Sequence, residues 1–167
     1  STPDLVKNYL FSIIDENLPL HDEQIRRLEE NWSEITSQLG NDGNFSRFIA
    51  VEWNSRNSLI QKGHLFNEIK KEIKNREQSF AYLQNLRKSS EVYASLEKPE
   101  DNFWERGIYK KIRGSLRTLD MFNITQPHGL LMAAYHNFAE KDFVEITRYI
   151  EAVSIRYNAI GNLQPNV

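Results

Sequence analysis

Four basic residues, Arg106, Lys110, Arg113 and Arg117, are spaced four, three and four apart. At about 100° per residue, that spacing puts them on one narrow stripe of a helix. Ile108, Tyr109, Ile112, Leu116 and Leu119 fall on a different face. Two chemistries fit such a row. It can track nucleic-acid phosphates, each contact adding a salt-dependent increment of affinity. It can equally stand in solvent or pair with acidic neighbours, and this plainer use is the favoured one. Lys70, Lys71 and Lys74, with Arg76, form a looser second cluster open to the same two uses. The chain has a net charge of −2, so no global field draws in nucleic acid or membrane and any such binding is local.

Other reactive constellations do not assemble. The four histidines are His21, His64, His128 and His136. None belongs to a His-Glu-x-x-His pair, and no Glu stands three residues before a His, so zincin and di-iron patterns are missing. His128 and His136 lie about two helical turns apart, but with no Cys or nearby carboxylate they read as ordinary surface or helix-end residues. Glu68 and Glu72 are spaced as acid–base pairs sometimes are, yet the interleaved lysines make them a solvated helix face. Glu29, Glu30 and Glu34 read the same way. Gly40 and Gly43 lack the Lys-Ser/Thr that completes a phosphate-binding loop. There is no Gly-x-Ser-x-Gly elbow and no thiol nucleophile. Arg56 and His64 stand too far apart for the Arg–His spacing of small HEPN-type ribonucleases. The expectation is a chain that is not itself an enzyme, with no catalytic or metal residues, no cofactor and no small-molecule ligand.

The elements that must carry these residues all read as helices. Thr2, Pro3 and Asp4 start the first, Pro suiting a turn whose N–H groups have no partner. Leu5, Val6, Tyr9, Leu10, Ile13 and Ile14 form its apolar stripe, and Asn17 to Pro19 end it. A second helix runs from about Asp22 to Leu39, on Ile25, Leu28, Trp32, Ile35 and Leu39, and stops at Gly40. After a turn at Asn41–Asn44, Phe45, Phe48, Ile49 and Trp53 mark a shorter third. Leu65, Phe66, Ile69 and Ile73 mark the fourth. Asn75 with Gln78 resembles a capping box opening the fifth, which carries Phe80, Leu83, Leu86, Tyr93 and Leu96. Phe103 to Leu119 predict one continuous sixth helix. The seventh carries Leu130, Leu131, Ala134, Tyr135 and Phe138. The eighth, capped by Asp142 with Glu145, turns Phe143, Ile146, Ile150, Val153 and Tyr157 inward, and a tail runs from Gly161 to Val167. Trp32, Trp53 and Trp104 are expected in the core rather than as base-stacking platforms.

Nine Phe, seven Tyr and three Trp in 167 residues exclude a disordered chain, which lacks the apolar surface to offset ordering entropy. The fold expected is all-α, a single-domain bundle of about eight helices over residues 1–167. No apolar run is long enough to span a bilayer, so no membrane partner is expected. The lack of Cys and of a secretory leader points to a cytoplasmic location. Ser1, with no Met before a helix start, leads to the expectation of a fragment of a longer multidomain protein.

The opening stretch Ser1-Thr2-Pro3-Asp4-Leu5-Val6-Lys7-Asn8-Tyr9-Leu10-Phe11 resembles a helix motif of the domain of unknown function 262 family, the N-terminal module of GmrSD-like type IV restriction proteins. In that family the motif reads Ser/Thr-x-x-Asp-Leu-x-Lys-Asn and follows an Asn-x-x-Gly-x-x-Leu phrase. Four further segments agree in order: Trp53–Arg56, Ile69–Lys74, Gln126-Pro127 with Leu130-Leu131 and Ala133–Tyr135, and Arg156–Gly161 with Pro165-Asn166. Members of the family begin with a ParB-like fold bearing an Asp-Gly-Gln-Gln-Arg motif, and many continue into a His-Asn-His nuclease. Neither motif occurs here, so neither activity transfers. The resemblance implies the helical middle region between those parts, in which Asp4, Lys7 and Asn8 match the helix motif in structural roles.

On that basis the expected function is a helical scaffold and interaction domain of a DNA-restriction or phage-defence protein. It would position nuclease modules and contact DNA backbone through the basic residues. The alternative is a stand-alone protein–protein interaction domain with no nucleic-acid role. Phe11 projects from nearly the opposite side of the first helix to its apolar stripe. With Lys7 and Asn8 it is expected to be exposed and to dock the parent's N-terminal module, a lone solvent-facing Phe being the plain alternative.

Overall fold

The computed structural model describes residues 1–14 and 21–161. They form eight α-helices and no strand, the all-α bundle expected. The helices are α1 (Thr2–Ser12), α2 (His21–Leu39), α3 (Asp42–Arg56), α4 (Leu65–Glu72), α5 (Arg76–Leu96), α6 (Arg113–Met121), α7 (His128–Asn137) and α8 (Glu140–Gly161). Short 3₁₀ segments cover Lys62–His64, Asn102–Glu105 and Gly107–Ile112. The expected stop at Asn17–Pro19 and the tail beyond Gly161 lie outside the described residues. The chain divides into two compact units, Ser1–Glu91 and Val92–Val167. Among the described residues no helix is long and apolar enough to cross a membrane.

In the first unit, α1 packs against α2, α3 and α4. The Ser1 hydroxyl and the Asp4 carboxylate form a capping box, one residue earlier than the sequence placed the helix start. The buried line of α1 is Pro3, Val6 and Leu10, continued by Ile14 just past its end, and is narrower than the stripe expected. Leu5 is 51% exposed, because 100° from Val6 carries it over the edge of the contact, while Tyr9 and Ile13 are half-buried. The Tyr9 hydroxyl instead reaches the end of α4. It donates its one proton to the Ile73 carbonyl at 2.5 Å, with the Lys70 carbonyl at 3.4 Å, both among the acceptors that a helix C-terminus leaves without partners.

Helix α2 buries Leu28, Trp32, Ile35 and Leu39, and Trp32 stacks at a tilt on Phe45 of α3, 4.8 Å between ring centres. Gly40 takes φ +81°, as a helix-ending glycine should. The turn after it is shorter than expected: the Asn41 side chain accepts from the Asn44 amide at 2.9 Å and α3 starts at once. At the head of α5, Asn75 accepts from the Gln78 amide at 2.9 Å. The Gln78 side chain reaches back to the Lys74 amide rather than to Asn75, so the capping box is offset by one residue.

In the second unit, α8 packs against α6, α7 and the Gly107–Ile112 turn. The continuous sixth helix expected over Phe103–Leu119 is instead two 3₁₀ turns followed by α6. Gly107 at φ +47° breaks the run. Trp104, fully buried, donates its indole N–H to the Ser95 carbonyl at 2.7 Å. Around it Phe103, Tyr109, Tyr135 and Phe143 form a contiguous aromatic core. All three tryptophans are buried, as core packing requires.

Four more inward assignments do not hold. Leu130 and Phe138 are exposed on and just beyond α7. On α8, Val153 and Tyr157 are 65% and 63% exposed, because burial on this helix is concentrated at Phe143, Val144 and Thr147. Asp142 does not cap α8 either; the helix begins at Glu140, placing Asp142 inside its first turn, where a carboxylate still favours the positive end of the helix dipole.

Candidate functional site

The basic row is real but not a single helical stripe. Arg106 and Gly107–Ile112 are not α-helical, so the 100° rule fails for Arg106 and Lys110, while Arg113 and Arg117 sit one turn apart on α6. Two carboxylates have come to meet them. Arg113 donates through Nη2 to Glu100 at 2.7 Å and through Nη1 to Glu105. It also donates through Nε to the Pro99 carbonyl at 3.2 Å. Arg117 forks onto the same Glu100, with Nη2 at 2.9 Å from one oxygen and Nε on the other. Lys110 lies 3.5 Å from Glu105. The Arg106 guanidinium rests over the Phe103 ring, 4.9 Å from its centre. Hydrogen bonding from Arg117, and then the charges of both arginines, holds the Glu100 carboxyl below its usual range. A phosphate reaching Lys110, Arg113 or Arg117 must compete with Glu100 and Glu105.

The second cluster is similarly engaged. Lys71 pairs with Glu68 at 2.5 Å. The Lys70 ammonium lies over the rings of Tyr9 and Phe66, at 5.5 and 5.7 Å, an arrangement the ring quadrupole favours. Lys74 is exposed beyond the end of α4. Of the docking trio, Asn8 is exposed and Lys7 lies over the Phe11 ring at 5.4 Å. Phe11 is half-buried rather than largely exposed, which corrects the expectation. His128 is buried edge-on to Tyr93, and His136 is edge-on to Tyr135.

A buried polar cluster in the first unit was not singled out from the sequence. Glu52 of α3 is 1% exposed. Its Oε1 accepts from Arg56 Nε at 2.6 Å and from the Ser89 hydroxyl of α5 at 3.4 Å. Arg56 Nη2 closes the triangle by donating to that hydroxyl at 3.2 Å. Beside them Trp53 and Tyr82 meet edge to face at 6.0 Å. Three atoms here are buried without a hydrogen bond to any described residue: Glu52 Oε2, Trp53 Nε1 and the Tyr82 hydroxyl oxygen. Burial pushes the Glu52 carboxyl up, against the opposing pull of Arg56. Burial, and then the charge of Glu52, pushes the Tyr82 hydroxyl far up. A signal was available: Phe45, Phe48, Ile49, Glu52 and Arg56 follow one helical line, so an acid stands where the core face continues.

Compared with family models, curated proteins and solved structures, the chain matches none of them.

Proposed function

We propose that this chain is a helical scaffold and interaction domain of a DNA-restriction or phage-defence protein, working in the cytoplasm, holding catalytic modules that lie elsewhere in the parent chain. The observation that supports this best is the outer face of α8. Tyr149, Val153 and Tyr157, one per turn, are 69%, 65% and 63% exposed. Three large apolar side chains in a row are more than the scattered exposure normal for a monomer surface, and such a row suits a protein partner. The restriction context rests on the five resembling segments. The same face would serve a stand-alone interaction domain, which differs only in whose surface it meets. DNA contact through Arg106, Lys110, Arg113 and Arg117 is the weaker part of the reading, because Glu100 and Glu105 compete for the last three of these. The chain alone is expected to turn over no ATP, GTP or DNA.

Amide hydrogen exchange on the isolated chain and on the intact parent protein tests the reading. The segment Tyr149–Tyr157 should exchange more slowly in the parent. Equal exchange in both would reject α8 as the contact with the other modules.

A further inference from the structure

We propose that Glu52 is a proton-linked latch between α3 and α5, seated best when its carboxyl is neutral and loosening that contact when it ionises. The geometry is the starting point. A carboxylate withdrawn from water needs more than one good ion pair, because its remaining lone pairs must also be satisfied. Glu52 places both of its hydrogen bonds on Oε1, and Oε2 accepts from no described residue. A protonated carboxyl has no charge to compensate and gains a hydrogen to donate.

The groups acting on it are few. Arg56 stands on its own helix, its side chain partly exposed, and Ser89 and Tyr82 face it from α5. Tyr82 carries no charge at physiological pH, since burial and Glu52 itself both disfavour its ionisation. Helices α1 and α2 also pack on α3, and among the described residues neither contributes a charge that sets the affinity of Glu52 for its proton. Arg56 favours the ionised form, but burial outweighs it and the net direction is upward. The folded unit therefore keeps this proton to higher pH than the unfolded chain does. The stabilisation from the latch is full below the ordinary glutamate range and is lost as pH rises through the elevated value.

Two measurements on the full chain test this. Carboxyl-resolved NMR should show Glu52 titrating above the exposed glutamates. Hydrogen exchange between pH 5 and 8, corrected for intrinsic rates, should show α3 opening more readily as pH rises, by about tenfold per unit of elevation. The α6 amides serve as the internal reference. In Glu52→Gln that pH response of α3 relative to α6 should vanish. Glu52 titrating together with the exposed glutamates would overturn the proposal, as would an α3 response that survives Glu52→Gln. Should the variant fail to fold, the wild-type titration decides alone.

Discussion

Arg113 and Arg117 stand one turn apart on α6 and share Glu100, yet different surroundings give them different work. Arg113 is 20% exposed and also binds the Pro99 and Glu100 carbonyls, tying the stretch before the first 3₁₀ turn to α6. Arg117 is 58% exposed and, among the described residues, bonds the Glu100 carboxylate alone. Hydrogen bonds from a charged donor to backbone acceptors contribute more than exposed ion pairs. Arg113→Ala should therefore lower stability by about 1–2 kcal/mol in urea unfolding, while Arg117→Ala leaves the midpoint where it is. Equal effects would mean that the backbone contacts of Arg113 contribute nothing. Phe11 makes a related point. Being half-buried, it should cost about 1.5–2.5 kcal/mol on truncation to Ser, roughly half the usual figure for a core Phe. A loss near zero would restore the freely exposed docking residue expected from the sequence.

Gly107 does for an element what these residues do for a contact. At φ +47° it opens the Gly107–Ile112 turn just after the bend at Arg106, and a Cβ built there meets nothing within 4 Å. Gly107→Ala should cost about 1–2 kcal/mol from backbone strain alone, with Gly107→Asn milder because Asn tolerates the left-handed region. No loss with Ala would show that the turn relaxes. This break was not legible because its flanks, Phe103, Ile108, Tyr109 and Ile112, keep an apolar content that either helix type accommodates. Helices α2 and α3 were legible because Leu28, Trp32 and Ile35, then Phe45, Phe48, Ile49 and Trp53, repeat at the helical period and are buried. Helix α8 was legible as a helix but not in its facing. Periodicity gives an apolar face without saying how far along it a neighbour extends, and here burial falls away after Thr147. Charge was hardest to place: Glu100 and Glu105 lie outside the stripe they neutralise, and Glu52 sits on a core face that its residue type argues against.

For the molecule as a whole, the proposed reading puts protein contact before nucleic-acid contact, because Glu100 and Glu105 already pair with Lys110, Arg113 and Arg117. Duplex DNA should bind weakly and with steep salt dependence. Lys110→Glu with Arg117→Glu is the better probe of that row, because it spares the structural Arg113. Unchanged affinity in that pair, with helicity retained, would remove the row from any DNA role. The central claim concerns the other surface. The direct measurement is the affinity of this chain for the other modules of the proposed parent protein, supplied separately, comparing wild type with a Tyr149→Lys, Val153→Lys, Tyr157→Lys variant. The account predicts measurable binding by wild type, at least about tenfold weaker binding by the variant (1.4 kcal/mol or more), and an unchanged unfolding midpoint. Equal binding by both proteins, or no binding by wild type, would contradict it.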